Sequence, residues 1–123
     1  MITGIGIDIV EIQRMDTRIR SVGFREKVFS EDEIGYCERQ KERTQHYAVR
    51  FAAKEAFLKA IGSGLWSGFE LHEIEVVNDV LGKPLLKLHG KYEQLASQNH
   101  WKNIHVSLSH SEGMACAVVI IEQ

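Results

Sequence analysis

Residues 2–10, Ile-Thr-Gly-Ile-Gly-Ile-Asp-Ile-Val, alternate along the chain, with Ile5, Ile7 and Ile9 on one side and Gly4, Gly6 and Asp8 on the other. Successive side chains of a strand point to opposite faces, so this spelling predicts a β-strand at the head of the fold. It also restricts what packs against that strand. The glycines leave room for a close backbone or a ligand. Asp8 shares their face, in a strand of isoleucines, where a carboxylate is costly unless a cation or hydrogen bonds compensate it. An aspartate at a sheet edge, bonding backbone N–H groups, is the plainer alternative.

The rest of the chain follows the same kind of reasoning. Ile12, Met15 and Ile19 fall at helical spacing, with arginines turned to solvent, and Gly23 is the expected break. Ser30-Glu31-Asp32-Glu33 spells a capping box that starts another helix. Residues 38–45 fit either a loop or a frayed helix end. A long helix is expected over 44–61, ended by Gly62 and Gly64. Ile74, Val76 and Val77 predict a strand, 79–84 a hairpin turn and 85–88 the return, with Pro84 at the strand start, where its missing N–H does least harm. Tyr92, Leu95 and Ala96 support one more helix. Strands over 104–109 and 114–121 follow, joined by His110-Ser111-Glu112-Gly113. No repeat or linker interrupts the 123 residues, which predicts a single domain, 1–123. The element order argues for an α+β fold with a mainly antiparallel sheet packed against a long helix.

Composition narrows the function classes. A net charge of −2 gives no sign of wholesale nucleic-acid binding, although Arg14, Arg18, Arg20, Arg25 and Lys27 concentrate positive charge near the start. No apolar run is long enough to span a bilayer and no basic-then-apolar leader opens the chain. Cys37 and Cys116 form neither a disulfide framework nor a metal spacing. A soluble, cytoplasmic protein with reduced thiols is the expectation.

Three further segments carry chemistry. In Phe51-Ala-Ala-Lys54-Glu55-Ala-Phe-Leu-Lys59, Glu55 and Lys59 are four residues apart and share a helix face, flanked by alanines that keep it low. A solvated Glu–Lys pair is the competing reading. Were Glu55 to meet Asp8, the two carboxylates would repel unless a cation lay between them, and an oxygen-only pair suits magnesium better than zinc. Ser107-Leu-Ser109-His110-Ser111 offers hydroxyl and imidazole donors for phosphate oxygens, or merely a polar strand end. It lacks the Gly-x-Ser-x-Gly elbow of a serine hydrolase. Gly82-Lys83-Pro84 reads as a turn, or as a lysine held beside a ligand by a rigid backbone.

Taken together these motifs resemble those of the holo-[acyl-carrier-protein] synthases, a phosphopantetheinyl transferase family. Gly-Ile-Gly-Ile-Asp8, the Lys54-Glu55-x-x-x-Lys59 helix, Gly82-Lys83-Pro84 and Ser107-Leu-Ser-His110-Ser occur in that family's order and span the chain. The resemblance implies a phosphopantetheinyl transferase-like fold. It also implies transfer of 4'-phosphopantetheine from coenzyme A to a serine of apo acyl carrier protein, releasing adenosine 3',5'-bisphosphate. Magnesium, or manganese in its place, would sit on Asp8 and Glu55, with Glu55 and Lys59 catalytic. Lys54, Lys83, Pro84, Ser109 and His110 would contact coenzyme A. Arg14 and Arg18 would dock the acidic carrier protein. A chain of this length resembles the homotrimeric version, whose sites lie between subunits, acting in fatty acid biosynthesis and lipid metabolism. The competing expectations are a non-catalytic, trimeric coenzyme A or nucleotide-binding module, and a metal-dependent hydrolase cutting the same pyrophosphate.

Overall fold

The computed structural model describes residues 1–62 and 71–123; the helix stop expected at Gly64 lies outside them. In chain order the elements are β1 (Ile2–Glu11), α1 (Ile12–Arg18), α2 (Val22–Val28), α3 (Glu31–Glu38) and α4 (Arg43–Ile61). A single 3-10 turn, Leu71–Glu73, leads into β2 (Ile74–Asn78), β3 (Pro84–Leu88), α5 (Gly90–Gln98), β4 (Asn103–Ser111) and β5 (Met114–Glu122). The strands form two antiparallel sheets, ordered β1-β5-β4 and β2-β3. The fold is α+β, and α4 crosses the larger sheet.

The glycines decide how α4 meets β1. A Cβ on Gly6 would overlap the carbonyl oxygen of Ala56, and one on Gly4 that of Ala60. Helix and strand therefore touch backbone to backbone, with Ala52, Ala53 and Ala56 fully buried between them and the sheet. Gly6→Ala should lower stability by about 3 kcal/mol, the upper end of the overpacking range, because backbone cannot step aside as a side chain would. Urea unfolding would register this as a lower midpoint at unchanged slope.

The same packing turns the isoleucines of β1 away from the core. Ile5, Ile7 and Ile9 are 65%, 65% and 64% exposed. In register with them, Ile120, Val118 and Cys116 of β5 share the outer face, while Ala115, Ala117, Val119 and Ile121 point inward and are buried.

Local signals behave largely as the chemistry requires. The capping box forms: Glu33 N–H donates to Ser30 Oγ at 3.1 Å, and Ser30 N–H to Glu33 Oε1 at 2.9 Å. Residues 38–45 hold the end of α3 and the start of α4, bracketed by an Arg43–Glu38 ion pair at 2.8 Å. Gly62, at φ 76°, closes α4 in the left-handed conformation that glycine adopts freely. Gly23, in contrast, does not break a helix. The break falls earlier, at Ser21, whose Oγ accepts from Phe24 N–H and caps α2, leaving Gly23 in the first turn, where its low helix propensity is tolerated. His110 and Ser111 lie within β4 itself, and the turn to β5 is made by Glu112 and Gly113, both at positive φ.

Candidate active site

Because Gly6 admits α4 so closely, Asp8, two residues along β1, lies beside the α4 face that carries Glu55 and Lys59. Lys59 Nζ donates to Asp8 Oδ1 at 3.0 Å and to the Ile7 carbonyl at 3.1 Å. Glu55 is half-buried, and burial first, then the charge of Asp8, push its carboxyl above the usual carboxylate range; Lys59 and Arg18 pull it back. The three residues expected to carry the chemistry are thus brought together, and Glu55 and Lys59 are not a merely solvated pair.

Asp8 and Glu55 open into a cleft of about 230 Å³ whose rim carries Glu11, Arg14 and Arg18, with Phe51 forming part of the wall. The Arg14 side chain is 76% exposed and pairs loosely with Glu11 at 3.8 Å. Arg18 leans over the Phe51 ring, 5.9 Å from its centroid. Two carboxylates whose charges oppose each other fit a hard divalent cation. Among the described residues no group of three or more His, Cys, Asp or Glu is placed to hold a metal ion. A cation between Asp8 and Glu55 would therefore take its other ligands from water and phosphate, as magnesium commonly does.

Lys54 departs from expectation. Its side chain is fully buried, and its ammonium donates to Glu33 Oε1 at 2.7 Å, to the Leu71 carbonyl at 3.2 Å and to the Ile74 carbonyl. The other Glu33 oxygen accepts from Val76 N–H at 3.0 Å. An ammonium enclosed on all sides has no path to coenzyme A. Lys54 instead ties α4 to α3 and β2.

The remaining expected ligand residues lie elsewhere. Pro84, Ser109 and His110 line a second cleft of about 230 Å³ that shares no lining residue with the first. Lys83 is exposed; its backbone N–H bonds Asp79 Oδ1 at 2.9 Å and its carbonyl accepts from Asp79 N–H, which fits the turn reading of this segment. Gln45 Nε2 lies 3.0 Å from His110 Nε2. Beside them His46 is held below the usual histidine range by burial, by the Arg50 charge and by His110.

Arg50 is the residue that sequence reasoning missed. It is 3% exposed, its guanidinium lies 4.3 Å from the Tyr36 ring centroid and its Nη2 donates to Asn78 Oδ1 at 2.9 Å. Its Nε finds no hydrogen-bond partner among the described residues. A fixed, buried cation lining a cleft with two histidines is suited to an anionic ligand. The signal was in the helix period: Tyr47, Arg50, Lys54 and Phe57 fall on one stripe, so both cations occupy core-facing positions.

Comparison with known proteins bears on the chain as a whole. The profile of the 4'-phosphopantetheinyl transferase superfamily matches residues 4–119. A holo-[acyl-carrier-protein] synthase of Geobacter sulfurreducens is 50% identical over 125 residues, covering 100% of this chain and 99% of the relative. The crystal structure of the synthase from Neisseria meningitidis superposes with a TM-score of 0.91 at 29% identity, covering 100% of both chains. That from Bacillus anthracis, in complex with CoA (3',5'-ADP), gives 0.80 at 36% identity over 98% of this chain and 96% of its own. Profile, full-length identity and superposition converge: the chain belongs to the 4'-phosphopantetheinyl transferase superfamily and, within it, to the holo-[acyl-carrier-protein] synthases.

Proposed function

We propose that this protein transfers 4'-phosphopantetheine from coenzyme A to a serine of apo acyl carrier protein, with Asp8, Glu55 and Lys59 as its reacting centre. The observation that carries the residue assignment is the meeting of Asp8 and Glu55 in one cleft with Lys59 on Asp8. Magnesium or manganese, when bound, withdraws charge from the diphosphate; Asp8 and Glu55 are the residues that would hold it. Glu55, directly or through a water, accepts the serine proton. The serine oxygen then bonds to the β-phosphorus as the bond to the bridging oxygen breaks. Adenosine 3',5'-bisphosphate leaves with that electron pair, and Lys59 steadies or protonates its phosphate.

Coenzyme A would lie across two subunits. Pro84, Ser109 and His110, joined by Arg50, supply cationic and polar contacts for its phosphates, yet one chain keeps them in a different cleft from Asp8. Ser109 and Ile9 flank Cys116 on the outer sheet face, so a second copy seated on the isoleucines lies next to the Ser109 cleft. Contiguous exposed apolar residues of this kind mark an interaction surface. A homotrimer closes such a surface, with each site completed by a neighbour. Ile7→Glu should break the assembly, seen in sedimentation as a shift to the monomer mass, with loss of coenzyme A affinity.

Arg14 and Arg18, at the mouth of the Asp8 cleft, suit an acidic carrier protein. Reversing both to glutamate should raise the carrier KM by about tenfold or more at low salt, an effect that fades as salt screens the charge. The unfavourable result is a KM that does not move at low salt. We place the reaction in the cytoplasm, in fatty acid biosynthesis. Both cysteines are free, burial pushing the Cys37 thiol up to about 12, and no helix among the described residues is long and apolar enough to cross a membrane.

The direct test is the mass of apo acyl carrier protein after incubation with this protein, coenzyme A and magnesium. A gain of one phosphopantetheine, abolished by a chelator, supports the transferase. Coenzyme A binding without any gain indicates a binding module, and cleaved coenzyme A with unmodified carrier indicates a hydrolase.

A further inference from the structure

Lys59 stands where a cation is wanted. It reaches Asp8 from solvent: its side chain is 57% exposed, that of Asp8 only 15%. One ammonium hydrogen bond goes to the carboxylate and another to the Ile7 carbonyl, so the lysine lies across the strand at the mouth of the site. With Asp8 and Glu55 ionised, Lys59 reduces the local charge from two negatives to one. Like any opposite charge at this distance, it weakens the pull that the carboxylates exert on a second cation.

We infer that Lys59 is a resident counter-ion of Asp8 that couples metal uptake to the arrival of the diphosphate. This rests on the reading that Asp8 and Glu55 hold the metal. A divalent ion arriving alone meets a site already half-neutralised, and it must either displace the ammonium or share a carboxylate with it. In the cleft the displaced ammonium meets only carboxylates already engaged: Glu55, which would hold the metal, and Glu11 at the rim, loosely paired with Arg14. A divalent ion arriving with coenzyme A brings oxyanions with it. The displaced ammonium then has a partner, and its flexible four-carbon arm, more than half exposed, is free to follow. Metal and coenzyme A therefore bind with positive cooperativity, and by reciprocity each tightens the other by the same factor. Lys59 serves first to keep a bare metal from settling on Asp8, and then to meet the phosphate.

The test is titration of Mn²⁺ alone and Mn²⁺ with coenzyme A, following free Mn²⁺ by its electron paramagnetic resonance signal, in the wild type, Lys59→Met and Asp8→Asn. Methionine keeps much of the length and removes the charge at an exposed position. The wild type should bind Mn²⁺ at least about tenfold more tightly with coenzyme A than without it, a typical size for coupling between sites. Lys59→Met should bind Mn²⁺ alone about tenfold more tightly than wild type and gain little from coenzyme A. Unchanged or weaker binding of Mn²⁺ alone by Lys59→Met, with Asp8→Asn losing it, overturns the counter-ion role and leaves the metal site standing. Unchanged binding by Asp8→Asn removes the metal from Asp8 and the inference with it.

Discussion

Glu55→Ala will lower kcat/KM for carrier-protein modification by about 100-fold or more, while the folded state is no less stable than wild type. The two halves of that expectation have one cause. Burial first, and then the like charge of Asp8, raise the Glu55 carboxyl, so its ionised form is unfavourable when no cation lies beside it. Removing Glu55 relieves that cost in the metal-free protein but also removes a metal-holding group and a proton acceptor. Even supporting residues one step removed from a metal cost about 10–100-fold when deleted, so a direct ligand stands at or above the upper end. Single-turnover transfer measured beside a urea titration separates the two effects. Turnover within a few-fold of wild type would sink the assignment of Glu55 to the reacting centre.

Lys54→Met will do the opposite, destabilising the fold by about 3–5 kcal/mol, because it leaves the fully buried Glu33 carboxylate without its cation. The desolvation that depresses the Lys54 ammonium is opposed by Glu33, so each charge is tolerable only in the presence of the other. Methionine fills the volume and offers no donor for the Leu71 and Ile74 carbonyls. A second change, Glu33→Leu, should recover only part of the loss: Ser30 N–H and Val76 N–H, which now donate to Glu33, would lose that acceptor. The folded fraction should keep its KM for coenzyme A, since Lys54 never reaches the ligand. A loss below about 1 kcal/mol in urea unfolding would show that the pair is not the joint described here.

Most of the elements were legible from local chemistry. The period-two spelling gave β1, the serine and glutamate three apart gave the start of α3, and Pro84 marked the start of β3. Asp8, Glu55 and Lys59 could be singled out because each was odd where it stood. Three things were hidden. The buried face of β1 is the glycine face, and a hydrophobic pattern cannot announce a contact made by backbone rather than by side chains. Gly23 looked like a stop because propensity is a weak prior, and a capped serine two residues earlier outweighed it. Lys54 looked like a ligand charge, and Arg50 drew no reading at all, because long cations are seldom core residues. Only their place on the Tyr47–Phe57 stripe, read together with a carboxylate such as Glu33, would have moved them inward.

The strand order β1-β5-β4 also bears on how the protein comes to life on the ribosome. The pairing partner of Ile5 is Ile120, more than a hundred residues later in synthesis. At roughly 5–20 residues per second, β1 exists for several seconds without its pairing partner. Contacts of such long reach form late and slowly. β4 waits as well, since β5 lies between the two and zips both at once. A nascent chain stopped short of β5 has Asp8 and Glu55 in its sequence but no sheet to hold Asp8 in place. Competence is therefore expected only once β5 has paired with both neighbours.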